Sequence, residues 1–382
     1  MKTDPYIVVA FDSFKESLSS AAANGAAERG IRRTFPGARV RIFVMADGGE
    51  GTVEACTANI AGCRRREATV EDILGVRRRV PYAVVADGAA VVESASVIGL
   101  GLVPKERRSP GLLRSTALGG LLRAVAEAGC REVYVGLGGS ATVDGGIGML
   151  AAMGVVLRDT AGVRIDVAKA GALGRIHSVD LAGMPDCIRG TRFHILADVE
   201  APLTGERGAA RVFGPQKGAT PPEVELLENQ MKSYAEALRR SGLPDVENTP
   251  GAGAAGGIGA ALAAVLGADI RNGSDFLFEH SDFDRCVSEA DLVITGEGAL
   301  DASTLLGKAP VKVLRRCQTA GVGRVVALGG SCLDPEVFVS AGFTAALSIM
   351  PAPMPLAEAM QPEVAARNIE AAAAQSARLV FG

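Results

Sequence analysis

The sequence predicts an α/β protein of two domains, one built on a parallel sheet from both ends of the chain and one of mixed α/β structure inserted between them. Three observations lead there. Short apolar strands that end in acidic or glycine-rich turns alternate with helical stretches at both ends of the chain, which implies parallel pairing through right-handed crossovers. The middle carries two alternating runs, Arg77–Ala86 and Ala89–Ser94, around the favoured hairpin pair Asp87-Gly88. At 382 residues the chain is also long for a single hydrophobic core. The expected boundaries are 1–65 with 286–382 for the parallel domain and 66–285 for the insertion.

Taken in order, Tyr6–Phe11 reads as a strand closing on Asp12-Ser13, and a helix follows with Leu18, Ala22, Ala26, Ile31 and Phe35 on one face, stopped by Pro36-Gly37. Val40–Ala46 is a second strand, ending in ADGGEGT, and Thr52–Ile60 is helical. In the insertion, Glu132–Leu137 is short, β-branched and aromatic, as a buried strand is, and helical spacing begins at Ile147. Thr191–Ala197 is a further strand closing on Asp198. Thr220-Pro221-Pro222-Glu223 is a capping box with proline at the first helical position, opening a helix to about Arg240. From Ala290 the first rhythm returns: strand Asp291–Thr295, turn GEGALDAST, helix Val311–Cys317, strands Arg324–Leu328 and Thr344–Met350, and an alanine-rich closing helix.

Composition excludes several functions. Net charge is −3 with lysine and arginine dispersed, so no basic tract points to nucleic acid. Seven cysteines without a CxxC pair read as thiols of a reducing compartment. The N-terminus has no signal-peptide pattern, and the one long uncharged run, Pro250–Ala268, is mainly glycine and alanine, so the expectation is a cytoplasmic chain without a membrane span. His177, His194 and His280 lie outside every glycine motif and read as structural or surface residues, which argues against triad hydrolysis.

The 48 glycines fall in discrete turns. Between the Glu132–Leu137 strand and the helix at Ile147 lies GGSATVDGG, where glycine lets backbone amides approach a ligand and a helix N-terminus adds partial positive charge. The loop therefore reads as a phosphate cradle, with Gly138, Gly139, Ser140 and Thr142 as its donors and Asp144 as a metal ligand or proton guide; a tight turn is the plainer alternative. Asp12 and Asp47 end predicted parallel strands, where ligands bind. Each reads as a helix cap or, in the company of Ser13, Lys15, Gly48, Gly49 and Glu50, as a general base or metal ligand. Asp198 precedes GPQKG, whose Lys217 reads as a phosphate-binding or solvated cation. Glu297 and Asp301 suit Mg²⁺, with Lys308 beside them. Glycine turns, acids without histidine and isolated lysines are what phosphoryl transfer requires, because its transition state spreads negative charge.

DSFKES (12–17), ADGGEGT (46–52), GLGGSATVDGG (136–146), FGPQKGA (213–219), PGAGAAGGIGAAL (250–262) and ITGEGALDAST-LLGK (294–308), in this order and over nearly the whole chain, resemble the bacterial type I glycerate kinases. The resemblance implies two α/β domains, one Rossmann-like, with the active site in the cleft, and ATP- and Mg²⁺-dependent phosphorylation of D-glycerate, commonly to 2-phosphoglycerate, with 3-phosphoglycerate as the other product. On its motifs Asp47 or Asp198 is the general base. Lys15 and Lys308 neutralise carboxylate or phosphate charge, Gly138, Gly139, Ser140, Thr142, Lys217 and Gly296 face the nucleotide, and Glu297 and Asp301 hold Mg²⁺. Ser13, Lys15, Gly48, Gly49 and Glu50 meet the acceptor, and the protein is a monomer or homodimer. Three positions depart from the family pattern: Val143 stands where asparagine is usual, Ala299 where arginine is, and Ser303 where glutamine is. Two other classes stay open. Glycine patterns at Gly136-Gly138-Ala141, with Asp159 as ribose acid, and at Gly251-Gly253-Gly256 suit a nicotinamide-dependent oxidoreductase; a two-domain sugar-acid binder is the third.

Overall fold

The computed structural model describes residues 4–85 and 87–382. Two compact units are present, one of Met1–Asp47, Glu54–Ala61 and Ser274–Gly382, the other of Gly48–Val53 and Gly62–Gly273. The strands along the chain are β1 (Tyr6–Phe11), β2 (Arg39–Ile42), β3 (Arg64–Glu71), β4 (Arg77–Val84), β5 (Ala90–Glu93), β6 (Glu132–Gly136), β7 (Val156–Arg158), β8 (Ser178–Asp180), β9 (Arg192–Leu196), β10 (Asp269–Arg271), β11 (Leu292–Leu300), β12 (Val325–Cys332) and β13 (Ala345–Ser348).

The first unit is a parallel sheet in the order β13-β12-β11-β1-β2. Its inner strands are continuous apolar runs because both faces are covered. Helices Ser20–Thr34 and Pro362–Phe381 bury Ala23, Ala27, Ile31, Ile369 and Ala373 on one face, and helices Phe283–Ser288 and Ala309–Thr319 bury Phe283, Val311 and Leu314 on the other. The crossover β1 to β2 runs through the first of these helices and β11 to β12 through Ala309–Thr319, on the opposite face. The winding direction thus reverses between β1 and β11, where the chain leaves a crevice at the strands' carboxyl ends.

The ends of β1 and β2 are set by side chains. Asn24 accepts from the Phe11 amide (3.0 Å) and donates to its carbonyl (3.2 Å), and Ser20 Oγ donates to the same carbonyl (2.6 Å). The expected strand Val40–Ala46 stops at Ile42 for the same reason. Val44 exchanges its amide and carbonyl with the Asn59 side chain (3.0 and 2.6 Å), and the Met45 amide donates to Ser20 Oγ (2.8 Å). The GEGAL segment, expected as a turn, instead extends β11 to Leu300, with Glu297 opposite Gly329 and Leu300 opposite Cys332.

The second unit holds a six-stranded sheet, β10-β9-β6-β5-β4-β3, parallel from β10 to β5 and antiparallel from β5 to β3. The Arg77–Ala86 expectation ends at Val84, and Ala86 lies outside the described residues. β3 was not foreseen because RRREATVE is a charged run, as suits an edge strand that pairs only with β4. β7, β8 and β10 are three residues each, too short to show a period. The capping box at Thr220 forms, opening the helix Pro221–Arg240. His194 is structural: buried on β9, it stacks on Tyr134 (4.5 Å), meets Glu132 of β6 through Nε2 (2.9 Å) and pairs with Asp269 of β10 through Nδ1. Among the described residues no helix is long and apolar enough to cross a membrane.

The helices Ser20–Thr34 and Pro362–Phe381 touch backbone to backbone at Gly30, where a Cβ would stand 2.0 Å from the Glu370 carbonyl oxygen. Gly30→Ala is expected to destabilise the protein by about 1–3 kcal/mol through overpacking, read as a lowered urea midpoint; an unchanged midpoint would refute this packing.

Candidate functional site

Acids and lysines converge at the reversal point of the first unit. The Asp12 amide donates to the Gly296 carbonyl (2.9 Å), continuing the β1–β11 ladder one residue beyond the strand, and its carboxylate accepts from the Ser13 amide (2.7 Å). Burial pushes the Asp12 pKa up to about 7; the negative charges of Asp47 and Glu297 add to the rise, against the Ser13 amide and Lys15. Glu297 on β11 is itself raised by burial, while Thr304 and Lys308 pull the other way. Thr304 Oγ1 donates to its Oε1 (2.7 Å), and Lys308 Nζ lies 3.5 Å from its Oε2 and 3.9 Å from Asp301 Oδ1. Asp301 is held low chiefly by the Ser303 hydroxyl, and its Oδ1 also accepts from the Ser303 amide (2.8 Å).

A cavity of about 460 Å³ opens beside these groups. Ser13, Lys15, Ser17, Glu297 and Lys308 line its polar part, whereas Ile349, Met350, Met354 and Met360 line its apolar part. The DSFKES turn carries three of these residues into the wall. It closes through a bridge between Phe14 and Leu18, so Leu18 precedes the helix it was expected to join, and Glu16 takes a left-handed φ of 61°. A non-glycine residue in that region stores strain, a feature that collects at functional sites.

The structure thus brings Ser13, Lys15, Glu297 and Lys308 together, with Asp47 in electrostatic reach of Asp12. Gly296 belongs to the sheet instead: a Cβ there would lie 1.8 Å from the Leu328 carbonyl oxygen and 2.7 Å from the Phe11 ring, so its side is filled by protein, not nucleotide. The sequence left Asp12 open between a helix cap and a general base or metal ligand. Its signal was present, because it ends the strand at which winding reverses, but strand order is invisible in sequence.

In the second unit the glycine loop is organised from within. The helix Ile147–Ala152 has six residues, and Asp144 serves its amides directly. The Asp144 carboxylate accepts from Gly146 N (3.1 Å), Gly148 N (3.2 Å), Ser115 N (2.9 Å) and Ser115 Oγ (2.9 Å). The anion at this helix start is therefore the protein's own, and Asp144 is a staple, neither metal ligand nor proton guide. Lys217 is buried below the loop, donating to Ser140 Oγ (3.0 Å) and to the Thr142 carbonyl (2.8 Å); complete burial draws its pKa down to about 7 against the charge of Asp144. Ser140 and Thr142 are buried too, so Gly138 and Gly139 are the part of the cradle with solvent access.

The adjoining motifs pack on this loop. The Gly138 amide donates to the Gly48 carbonyl (3.1 Å), and a Cβ on Gly138 would fall 2.5 Å from Gly49 Cα. Gly256 accepts from the Gly145 amide (3.0 Å). Glu50 is exposed, and Asp198, just past β9, accepts from the Gly273 amide (2.9 Å). Of the three departures, Val143 is wholly buried in the hydrophobic core of the second unit, Ser303 binds Asp301, and Ala299 lines the cavity of the first unit.

Magnesium takes one or two carboxylates together with phosphate oxygens and water. Among the described residues no group of three or more acidic, histidine or cysteine side chains forms a cage. The Glu297 and Asp301 carboxylates on either side of Lys308 fit the smaller donor set, one in which phosphate supplies the remaining oxygens.

A model of the glycerate kinase family matches residues 7–381. The chain is 40% identical to a glycerate kinase of Bacillus subtilis over 356 residues, 93% of each chain, and 40% identical to a glycerate 2-kinase of Escherichia coli over 308 residues, 80% of each. A crystal structure from Salmonella typhimurium, assigned as glycerate kinase 2, superposes with a TM-score of 0.81 at 37% identity, over 98% of both chains.

The raised pKa of Asp12 carries a stability signature. With its folded pKa above the unfolded value, the native state binds the extra proton between about pH 4 and 7, and stability falls as pH rises through that window. Asp12→Asn is expected to match the wild type near pH 4 and to exceed it at pH 8, by on the order of 3 kcal/mol. Denaturation at the two pH values measures this, and a less stable variant at pH 8 would contradict it.

Proposed function

The chain belongs to the glycerate kinase family, and we propose that it transfers the terminal phosphoryl group of ATP to D-glycerate with Mg²⁺, forming 2-phosphoglycerate. The observation that carries the reading is the gathering of Ser13, Lys15, Glu297 and Lys308 around one cavity where the sheet reverses, with Asp12 just past the end of β1 and its pKa drawn up to about 7 by burial and by Asp47 and Glu297. A base works best when its pKa lies near the working pH. Asp12 takes the proton of the acceptor hydroxyl, and Asp47 keeps that proton affinity high by adjacent negative charge. This moves the base from Asp47 or Asp198 to the residue whose surroundings suit the task; the bond from the Gly273 amide gives Asp198 a positioning role. Lys15 and Lys308 neutralise phosphate and carboxylate charge, since phosphoryl transfer is promoted mainly by positioning and electrostatics.

Glu297 and Asp301 hold the magnesium ion, which when bound draws charge from the phosphate oxygens. Gly139 offers the exposed edge of its loop to phosphate, and Ser13, in the wall of the first unit's cavity, is assigned to the acceptor. The 2-kinase product follows the name of the Escherichia coli relative. Nicotinamide chemistry loses its support, because Gly136 and Gly138 are spent on the backbone of residues 48–49.

Incubation with Mg·ATP and D-glycerate should give the phosphorus NMR signal of 2-phosphoglycerate; no phosphorylated glycerate would end this reading. Asp12→Asn should lower kcat by about 10²–10⁴-fold, the usual worth of a general base, and should remove the acid limb expected of the wild type near pH 7. Alanine at Asp47 is expected to shift that limb to lower pH, whereas an unmoved limb would separate Asp47 from Asp12.

A further inference from the structure

D-glycerate is a three-carbon acid with no apolar face, yet the cavity of the first unit measures about 460 Å³ and one of its sides is apolar. Pockets of this size bury ligands much larger than glycerate. The apolar side comes from Ile349–Met360, in which Pro351, Pro353 and Pro355 fix the backbone on both sides of Met354. The segment is anchored at its start: the Ile349 amide donates to the Gly329 carbonyl (2.8 Å) and the Met350 amide to Ser348 Oγ (3.1 Å). Towards its far end Leu356, which also lines the cavity, is 74% exposed.

The polar side holds Lys15 and Lys308, and the Ser17 hydroxyl in the same wall is buried without a hydrogen-bond partner. Such orphaned groups are rare in native proteins. One wall therefore suits a polyanion and the other a flat apolar ring, for which methionine is well adapted, being unbranched, polarizable and favourable against aromatic edges.

We propose that Ile349, Met350, Met354 and Met360 form the purine subsite of the phosphoryl donor, so that base and phosphates lie along this one cavity. The inference rests on the kinase reading above and adds to it the location of the base. Glycerate carries no group that uses the methionine wall, so donor affinity and acceptor affinity separate at Met354.

Two measurements test it. Photolabelling with 2-azido-ATP, mapped by peptide mass, should mark residues 349–361; labelling confined to other peptides would overturn the inference. Met354→Glu, which brings a charge against the ring, should raise KM for ATP by about tenfold or more. It should leave KM for D-glycerate and inhibition by inorganic tripolyphosphate unchanged, with Met354→Leu near the wild type. An unchanged KM for ATP, or weakened tripolyphosphate binding in parallel, would refute the subsite. A change only in self-association would give the wall to a second copy of the chain and refute it equally. If the wild type phosphorylates no glycerate but is labelled at 349–361, the kinase reading fails and the base subsite stands; turnover with labelling elsewhere is the reverse.

Discussion

The first unit depends on the parallel pairing of β1 with β11, strands some 285 residues apart in which Ile7 faces Leu292 and Phe11 faces Gly296. Everything between them returns to this ladder before the sheet is complete. The pairing is tight because Gly296 has no side chain: the Phe11 ring and the Leu328 carbonyl occupy the space where a Cβ would stand. Since the crossovers from β1 and β11 lie on opposite faces, this ladder is also where the sheet reverses, and Asp12 and Glu297 stand just past its paired residues. Fold and proposed chemistry thus share one cause. A sheet built from distant ends of the chain leaves its crevice where those ends meet.

Elements long enough to show a period, or bounded by a specific cap, were legible in the sequence: β1, the helix from Thr220 and the closing alanine-rich helix. What escaped was fixed by side chain to backbone bonding across the fold. Asn59 and Ser20 take the polar groups of residues 44 and 45, so an apolar run with strand composition does not continue as a strand. Conversely, GEGAL has turn composition but pairs with β12, because Gly329 and Gly330 leave room for it. The site was half legible. Lysines and acids in glycine-rich turns marked Lys15, Glu297 and Lys308, while Asp12 gained weight only through its burial beside two other acids.

The glycine loops show why composition alone misleads about ligands. Glycine permits close approach, and what approaches can be a phosphate or another stretch of backbone. In the second unit it is largely backbone: residues 48–49 lie against Gly136 and Gly138, and Thr142 lies against Gly256. Asp144 supplies the negative charge that the helix start favours. A loop stapled in this way is rigid, which suits the phosphate contact proposed at its exposed edge, Gly139, since a group already in place costs little further ordering when a ligand arrives.

Asp12 illustrates the opposite use of burial. A carboxyl placed against two other acids weakens the folded state at neutral pH, and the surrounding structure tolerates it because Ser20 and Asn24 hold the backbone of Phe11 from three directions. If that residue were solely a cap for the following turn, the Ser13 amide would favour its ionised form and lower its pKa. The surroundings of Asp12 favour the reverse, with burial and like charge outweighing the amide and Lys15. Native structures keep such costs where chemistry needs them. The carboxyl able to accept a proton near neutrality is therefore the one whose removal should strengthen the fold, and that pairing of effects separates a working base from a structural acid.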